Sequence, residues 1–326
     1  MDESLWVDDF LAYMMAEKGC SEKTTDKYRY GLVAFREAYK AMDEGLTWSQ
    51  IDSDVVRSWM MSLAEGGMKP QSMKAYLSGL RSFYRYLLLM GRVTHNPMTR
   101  VLMPKAPKAL PKFFRDEDIN RLLDRLKAHA TGQTEEGDDG ADLKAIVGEG
   151  RYGMARAYLL VLMLYMTGMR ISELTGIDVD DIEMSARQVK VTGKRNKQRI
   201  LPLVPELFET IMMYLPLRQQ ELARLAEMGI EADASGAMFL NKHGRRAGIS
   251  AMSALVKRLT GTVTTQQRRS AHVFRHTFAT SMLNQGSDLH SVKELLGHSK
   301  LATTEVYTHT NFEELLKVYK NAHPRA

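Results

Sequence analysis

The sequence predicts a mainly α-helical protein with one small antiparallel β-sheet, divided into two domains. Three observations carry this. Apolar residues recur at helical spacing through most of the 326 residues, whereas alternation is confined to the stretch between Asp178 and Pro205. Between these patterns, residues 103–113 (MPKAPKALPKF) place Pro104, Pro107 and Pro111 where regular structure cannot continue. The expected division is a helical domain over 1–103, a stiff basic linker over 104–113 and a mixed domain over 114–326.

In the first domain a helix fits Ser4–Lys18 and ends at Gly19; Ser21 can cap a second that runs to about Met42. Asp52 or Ser53 opens a third, stopped by Gly66–Gly67, and Pro70 opens a fourth that ends at Gly91. On the fourth, Met73, Tyr76, Leu77, Leu80, Phe83, Tyr84, Leu87 and Leu88 are expected to face a core. Lys74, Arg81 and Arg85 share another stripe, because steps of seven and four return to nearly the same azimuth. That stripe reads either as a solvated basic face or as a face that contacts phosphates. Lys105, Lys108 and Lys112 of the linker allow the same two readings.

In the second domain helices fit Arg115–Lys127, Tyr152–Thr167, Pro205–Met228, Ile249–Thr260, His272–Gln285, Asp288–Leu296 and Asn311–Ala322. Ala157–Met166 is apolar but too short to span a bilayer, and reads as a buried core helix. The hairpin places Val189 and Val191, then Ile200 and Leu203, around the turn GKRNK.

Composition excludes several classes. Hydrophobic residues at 44% and charged residues at 26% are ordinary for a soluble globular chain. The lone Cys20 excludes an intramolecular disulfide and a thiolate metal cluster, and the acidic start MDESLWVDDF lacks the basic opening of a signal peptide; a cytoplasmic location is expected. The net charge is +6, but residues 133–150 alone contribute −5, so the rest of the chain carries +11. Such a body favours a polyanion, with the acidic stretch expected as a solvated loop facing elsewhere. The segments 129–150 and Arg218–Ala237 both look longer than a compact domain needs.

Histidines crowd the C-terminal end, at His272, His276, His290, His298 and His309. His272 and His276 lie four apart, as zinc ligands can, but Val273 stands where the metalloprotease helix has glutamate, so no metal is expected. His272 and Arg275, three apart, are neighbours on a helix surface and could cradle a phosphate. Equally, Arg275 could pair a surface carboxylate.

Five segments decide between these readings. TGMRISEL (167–174), TGKRNKQR (192–199), HVFRH (272–276), LLGHS (295–299) and TTEVYTH (303–309) resemble, in order and spacing, the tyrosine recombinases of the phage integrase family. The ending YTHTNFEELLKVYKNAHPRA is similar to the tail of the Xer group, XerC-type members included. The resemblance implies an N-terminal helical, SAM-like core-binding domain and a C-terminal α+β catalytic domain whose last helix, 311–322, docks on a neighbouring protomer. It also implies roles: Arg170 and Arg275 as the catalytic arginines, Lys194 as general acid, His272 and His298 at the phosphate, and Tyr307 as nucleophile. Glu173 matches a supporting acid. The expected partner is a double-stranded DNA site bound by a tetramer, with a second Xer-type recombinase taking part, and no cofactor is expected. The implied function is site-specific recombination of the XerC type, resolving chromosome dimers at cell division. Alternatives are an integrase of a mobile element, a type IB topoisomerase and a DNA-binding protein without catalysis. Base readout is expected from helix 70–90 and the segment Arg245–Lys257.

Overall fold

The computed structural model describes residues 3–102, 113–134, 136–148, 150–193, 196–232 and 236–297. The expected linker with Lys105 and Lys108, the C-terminal helix 311–322, and Lys194, His298 and Tyr307 all lie outside the described residues. The chain divides into two units, Met1–Ala109 and Leu110–Ala326.

The first unit is built from α1 (Trp6–Ala16), α2 (Glu22–Met42), α3 (Ser53–Glu65) and α4 (Pro70–Leu89). Asp52 caps α3 by accepting from the amides of Asp54 and Val55, and Pro70 sits in the first turn of α4, where its missing N–H costs nothing. Ser21 occupies the N-cap position of α2, but its hydroxyl pairs with Thr24 instead of capping an amide. Helices α2 and α4 approach closely because Gly31 faces Tyr76 and Gly79 faces Tyr28; a Cβ at either glycine would stand 3.0–3.2 Å from the tyrosine. Phe35 packs against Tyr39, Trp48 and Trp59, and Trp48 meets Phe83 edge-on at 4.8 Å. The α4 stripe faces this core as expected with one exception: Leu88 is exposed, and Tyr86 is buried in its place. The apolar run LLL at the helix end spans more azimuth than the core face can cover.

The second unit comprises α5 (Asp116–Thr131), α6 (Ala141–Val147), α7 (Arg151–Thr167), α8 (Ile171–Thr175), β1 (Ile182–Glu183), β2 (Gln188–Thr192) and β3 (Gln198–Pro202). After these come α9 (Pro205–Glu227), α10 (Ile249–Thr260), α11 (Ala271–Asn284) and α12 (Leu289–Leu296). Helix α7 carries the apolar stretch and is buried from Gly153 to Thr167 except at Arg156, with α5, α9 and α11 packed around it. Among the described residues no helix is long and apolar enough to cross a membrane.

The sheet is antiparallel in the order β1-β2-β3, and its register pairs Val189 with Leu201 and Val191 with Arg199. Leu203, just past β3, is buried as the sequence pattern predicts, whereas Ile200 is not turned inward. Val189 and Val191 face inward as expected, but their partners on the inner face are Leu201 and Arg199, while Ile200 pairs with Lys190 on the outer face. Successive side chains of a strand point to opposite faces, so with Ile200 outward an arginine stands where an aliphatic residue was expected.

The acidic segment is also more than a solvated loop. It contains α6, whose Leu143 is fully buried, and its Asp138 and Asp142 both grip Arg125 of α5. The Arg125 hydrogen bonds lower the Asp142 carboxyl pKa from its ordinary value. Helix α9 runs past Pro216 into the Arg218–Ala237 stretch as far as Glu227, and buried Arg218 donates to the Ala237 carbonyl at 2.9 Å.

Candidate active site

Four charged side chains of the second unit converge below the end of α7. The chain leaves α7 through Gly168 in the left-handed region (φ 58°), where a Cβ would strike Phe278 at 2.7 Å and Leu296 at 2.8 Å. Glycine alone therefore lets α7, α11 and α12 close on one point. The next polar residue, Arg170, is the N-cap of α8. Its backbone N–H donates to Glu173 at 3.0 Å and its guanidinium to the same carboxylate at 2.6 Å. Glu173 is 3% exposed, while the Arg170 side chain remains 36% exposed. The carboxylate thus anchors an arginine whose charge still reaches solvent.

Glu173 takes a further bond from Arg199 Nη2 at 2.8 Å. Burial pushes the Glu173 carboxyl up, but the bond and charge of Arg199, with the two donors of Arg170, outweigh it and hold the pKa below its ordinary value. Arg199 in turn donates from Nε to the Leu295 carbonyl at 3.1 Å. Arg275, 8% exposed on α11, donates to Gly168 O at 3.1 Å and to Leu296 O at 2.5 Å. Burial brings its pKa down to about 10, helped by the charge of Arg170, which leaves it protonated at neutral pH. Two arginines therefore satisfy consecutive carbonyls at the C-terminus of α12, where a helix leaves its acceptors unpaired and its dipole negative.

The cluster sets three guanidiniums against one carboxylate. Such an excess of fixed cationic donors in a partly dry setting suits an anion with two free oxygens, as a phosphodiester has. Of the residues expected at the site, the structure brings Arg170 and Arg275 into this cluster together with Glu173. His272 stands exposed on α11, as does His276 one turn on, and no group of three potential metal ligands occurs among the described residues. In the first unit Lys74 is half-buried and Arg85 exposed on α4, whereas Arg81 is turned inward and donates to the Val101 carbonyl at 3.1 Å. Arg199 was missed as a cluster member. Its signal was present, an arginine at an inward position of an alternating strand, but was hidden by the placing of Ile200 on that face.

Two family models match the chain: the phage integrase family over residues 139–314, and the phage integrase N-terminal SAM-like domain over residues 7–91. Among curated relatives, tyrosine recombinase XerC of Chlorobaculum tepidum is 35% identical, with 98% of this chain and 95% of the relative covered. XerC of Pelotomaculum thermopropionicum is 33% identical, with 98% of each covered. In fold the chain is similar to the XerH site-specific recombinase bound to its difH substrate (TM-score 0.64, 20% identity, 96% and 94% covered). It is similar as well to a lambda integrase dimer bound to a COC' core site (TM-score 0.60, 15% identity, 93% and 98% covered). The chain belongs to the phage integrase family of tyrosine recombinases.

Proposed function

We propose that this protein is a site-specific DNA recombinase of the XerC type that breaks and rejoins strands through a 3′-phosphotyrosine formed on Tyr307. The observation that supports it most is the pairing of a solvent-reaching Arg170, anchored by Glu173, with Arg275, braced on Gly168 and Leu296. In this reading the two guanidiniums take the nonbridging oxygens of the scissile phosphate and stabilise the charge that grows there as phosphorus becomes five-coordinate. Neither fork has to reorganise, because each is already tied to the protein.

Tyr307 attacks the phosphorus, so its Oη–P bond forms as the P–O5′ bond breaks. A free tyrosine titrates near about 10, so its proton must leave during attack, and His272 is the acceptor. Lys194 returns a proton to the departing 5′-oxygen, and His298 donates a hydrogen bond to the phosphate. The product is a 3′-phosphotyrosine and a free 5′-hydroxyl. Attack by the 5′-hydroxyl of another duplex reverses the step with exchanged strands, and the ester conserves the bond energy, so no cofactor takes part. The partners are double-stranded recombination sites held by a tetramer; a lambda integrase tetramer bound to a Holliday junction is among the folds similar to this one. A second Xer-type recombinase shares the work, and the task is resolution of chromosome dimers at cell division.

Covalent capture tests this reading. Wild-type protein mixed with nicked fragments of its own genome should, after SDS denaturation, retain fragments from one chromosomal locus. Tyr307→Phe should bind the same DNA and retain none. Retention by Tyr307→Phe would overturn the nucleophile, and fragments drawn from element ends would make the protein an integrase of a mobile element.

A further inference from the structure

Arg199 joins three segments that carry the proposed chemistry, yet it is none of the residues assigned to a chemical step. It sits on β3, 7% exposed, five residues after Lys194 in the sequence. Its Nη2 bonds Glu173, the anchor of Arg170, at 2.8 Å, and its Nε bonds the carbonyl of Leu295 at 3.1 Å. Gly297, which ends α12 at φ 67° and directly precedes His298, lies so close that a Cβ there would stand 3.1 Å from Arg199 Nη1. Gly193, at the neck of the hairpin, lies against the same carboxylate: its Cβ would stand 3.3 Å from Glu173 Oε1, with Arg199 Nη1 farther off at 3.9 Å.

We propose that Arg199 is a positioning residue for strand cleavage: it holds Glu173 and the end of α12 in register, so that Arg170 and the segment entering His298 meet the same phosphate. Glu173 depends on this contact. Its two oxygens take three donors, and Arg199 supplies one of them with a full charge. Without Arg199 a buried carboxylate is left with Arg170 as its sole cationic partner, and it draws that guanidinium inward, away from the DNA. At the same moment the Leu295 carbonyl loses its donor and the turn before His298 loses its brace. Lysine cannot replace the arginine fully, because one ammonium cannot span the carboxylate and the carbonyl in the planar fork geometry.

This inference rests on the recombinase reading, and the experiment separates the two. The substrate is the nicked duplex that wild-type protein captures, prepared once with a normal scissile phosphate and once with a methylphosphonate, in which a methyl group replaces one nonbridging oxygen and removes the charge. Single-turnover adduct formation is measured at saturating DNA for wild type, Arg199→Gln and Arg199→Lys, with thermal unfolding followed by circular dichroism. On the phosphodiester, Arg199→Gln should be slower by about 100-fold and Arg199→Lys should fall between it and wild type. DNA affinity should change by less than about threefold, since phosphate contacts elsewhere dominate binding. On the methylphosphonate, where Arg170 has less charge to neutralise, the Arg199→Gln defect should shrink to about 10-fold or less. An equal defect on both substrates, or none on either, would overturn the positioning role. Should Arg199→Gln fail to fold, the Arg199→Lys ratio between the two substrates decides by the same criterion. Failure of wild type to form any adduct would instead overturn the recombinase reading, and the role of Arg199 with it.

Discussion

In the first unit Trp6, Trp48 and Trp59 interlock with Phe10, Phe35 and Phe83, whereas the second unit contains no tryptophan and centres on the aliphatic helix α7. The contrast extends to charge. Every buried charged residue among those described, Glu173, Arg199, Arg218 and Arg275, belongs to the second unit; the first buries only Thr25 among polar side chains. A core of rings gains stability from area and edge-to-face contacts alone. A core that admits guanidiniums must supply each with acceptors, and here those are carbonyls at the ends of α7 and α12, the Ala237 carbonyl and one carboxylate. Burying charge in this way is a weak route to stability. It does place rigid cationic donors where a phosphate could be held, and the contrast teaches that the two units are organised for different tasks.

The contrast can be broken most strongly in the ring core. Phe35→Ala removes a ring that touches three others, and should destabilise the first unit by about 3–5 kcal/mol. Because all three tryptophans lie in that unit, the loss should appear as an earlier urea transition in tryptophan fluorescence. An unchanged fluorescence midpoint would show that the rings contribute little.

Glu173→Gln tests the charged core, with an expected loss of about 3 kcal/mol at neutral pH. It should shift the circular dichroism transition more than the fluorescence transition. The pH dependence has a definite sign. Folding holds the Glu173 pKa below its ordinary value of 4.5, so the carboxylate's contribution is complete above that value and is lost as pH falls through the lower folded pKa. The gap between wild type and Glu173→Gln should therefore close on acidification below 4.5. A gap that does not depend on pH would mean the carboxylate acts by shape alone.

The smallest effects separate two arginines that share one stripe of α4. Arg81→Ala leaves the Val101 carbonyl without its donor and should cost about 1 kcal/mol. Exposed Arg85 should cost less than about 0.5 kcal/mol when replaced by alanine. In DNA binding the order should reverse, with Arg85→Ala lowering the slope of affinity against salt by about one. Equal salt slopes for wild type and Arg85→Ala would remove Arg85 from the DNA-binding face.

Much of this architecture was legible because it is local. The α10 range Ile249–Thr260 follows the sequence pattern residue for residue, Pro70 and Asp52 open helices for reasons internal to their own turns, and α7 declares itself by unbroken apolarity. The short helices α6 and α8 escaped because five to seven residues hold too few turns for a periodicity. The acidic segment misled for a related reason: its charge pattern describes a solvated loop, and only the arrival of Arg125 from α5 converts Asp138 and Asp142 into a clamp.

The sequence by itself determined the helical class, the position of the hairpin, the core-facing stripe of α4 and the residue types offered at the site. These follow from spacing between near neighbours, which the backbone's own periodicities translate directly into faces. Tertiary structure alone decided which face of the hairpin turns inward and where the guanidiniums end. Arg199 finds the Leu295 carbonyl 96 residues away, and Arg275 finds Gly168 at a separation of 107. No local pattern encodes such partners, because a buried charge goes wherever packing leaves a carbonyl unsatisfied.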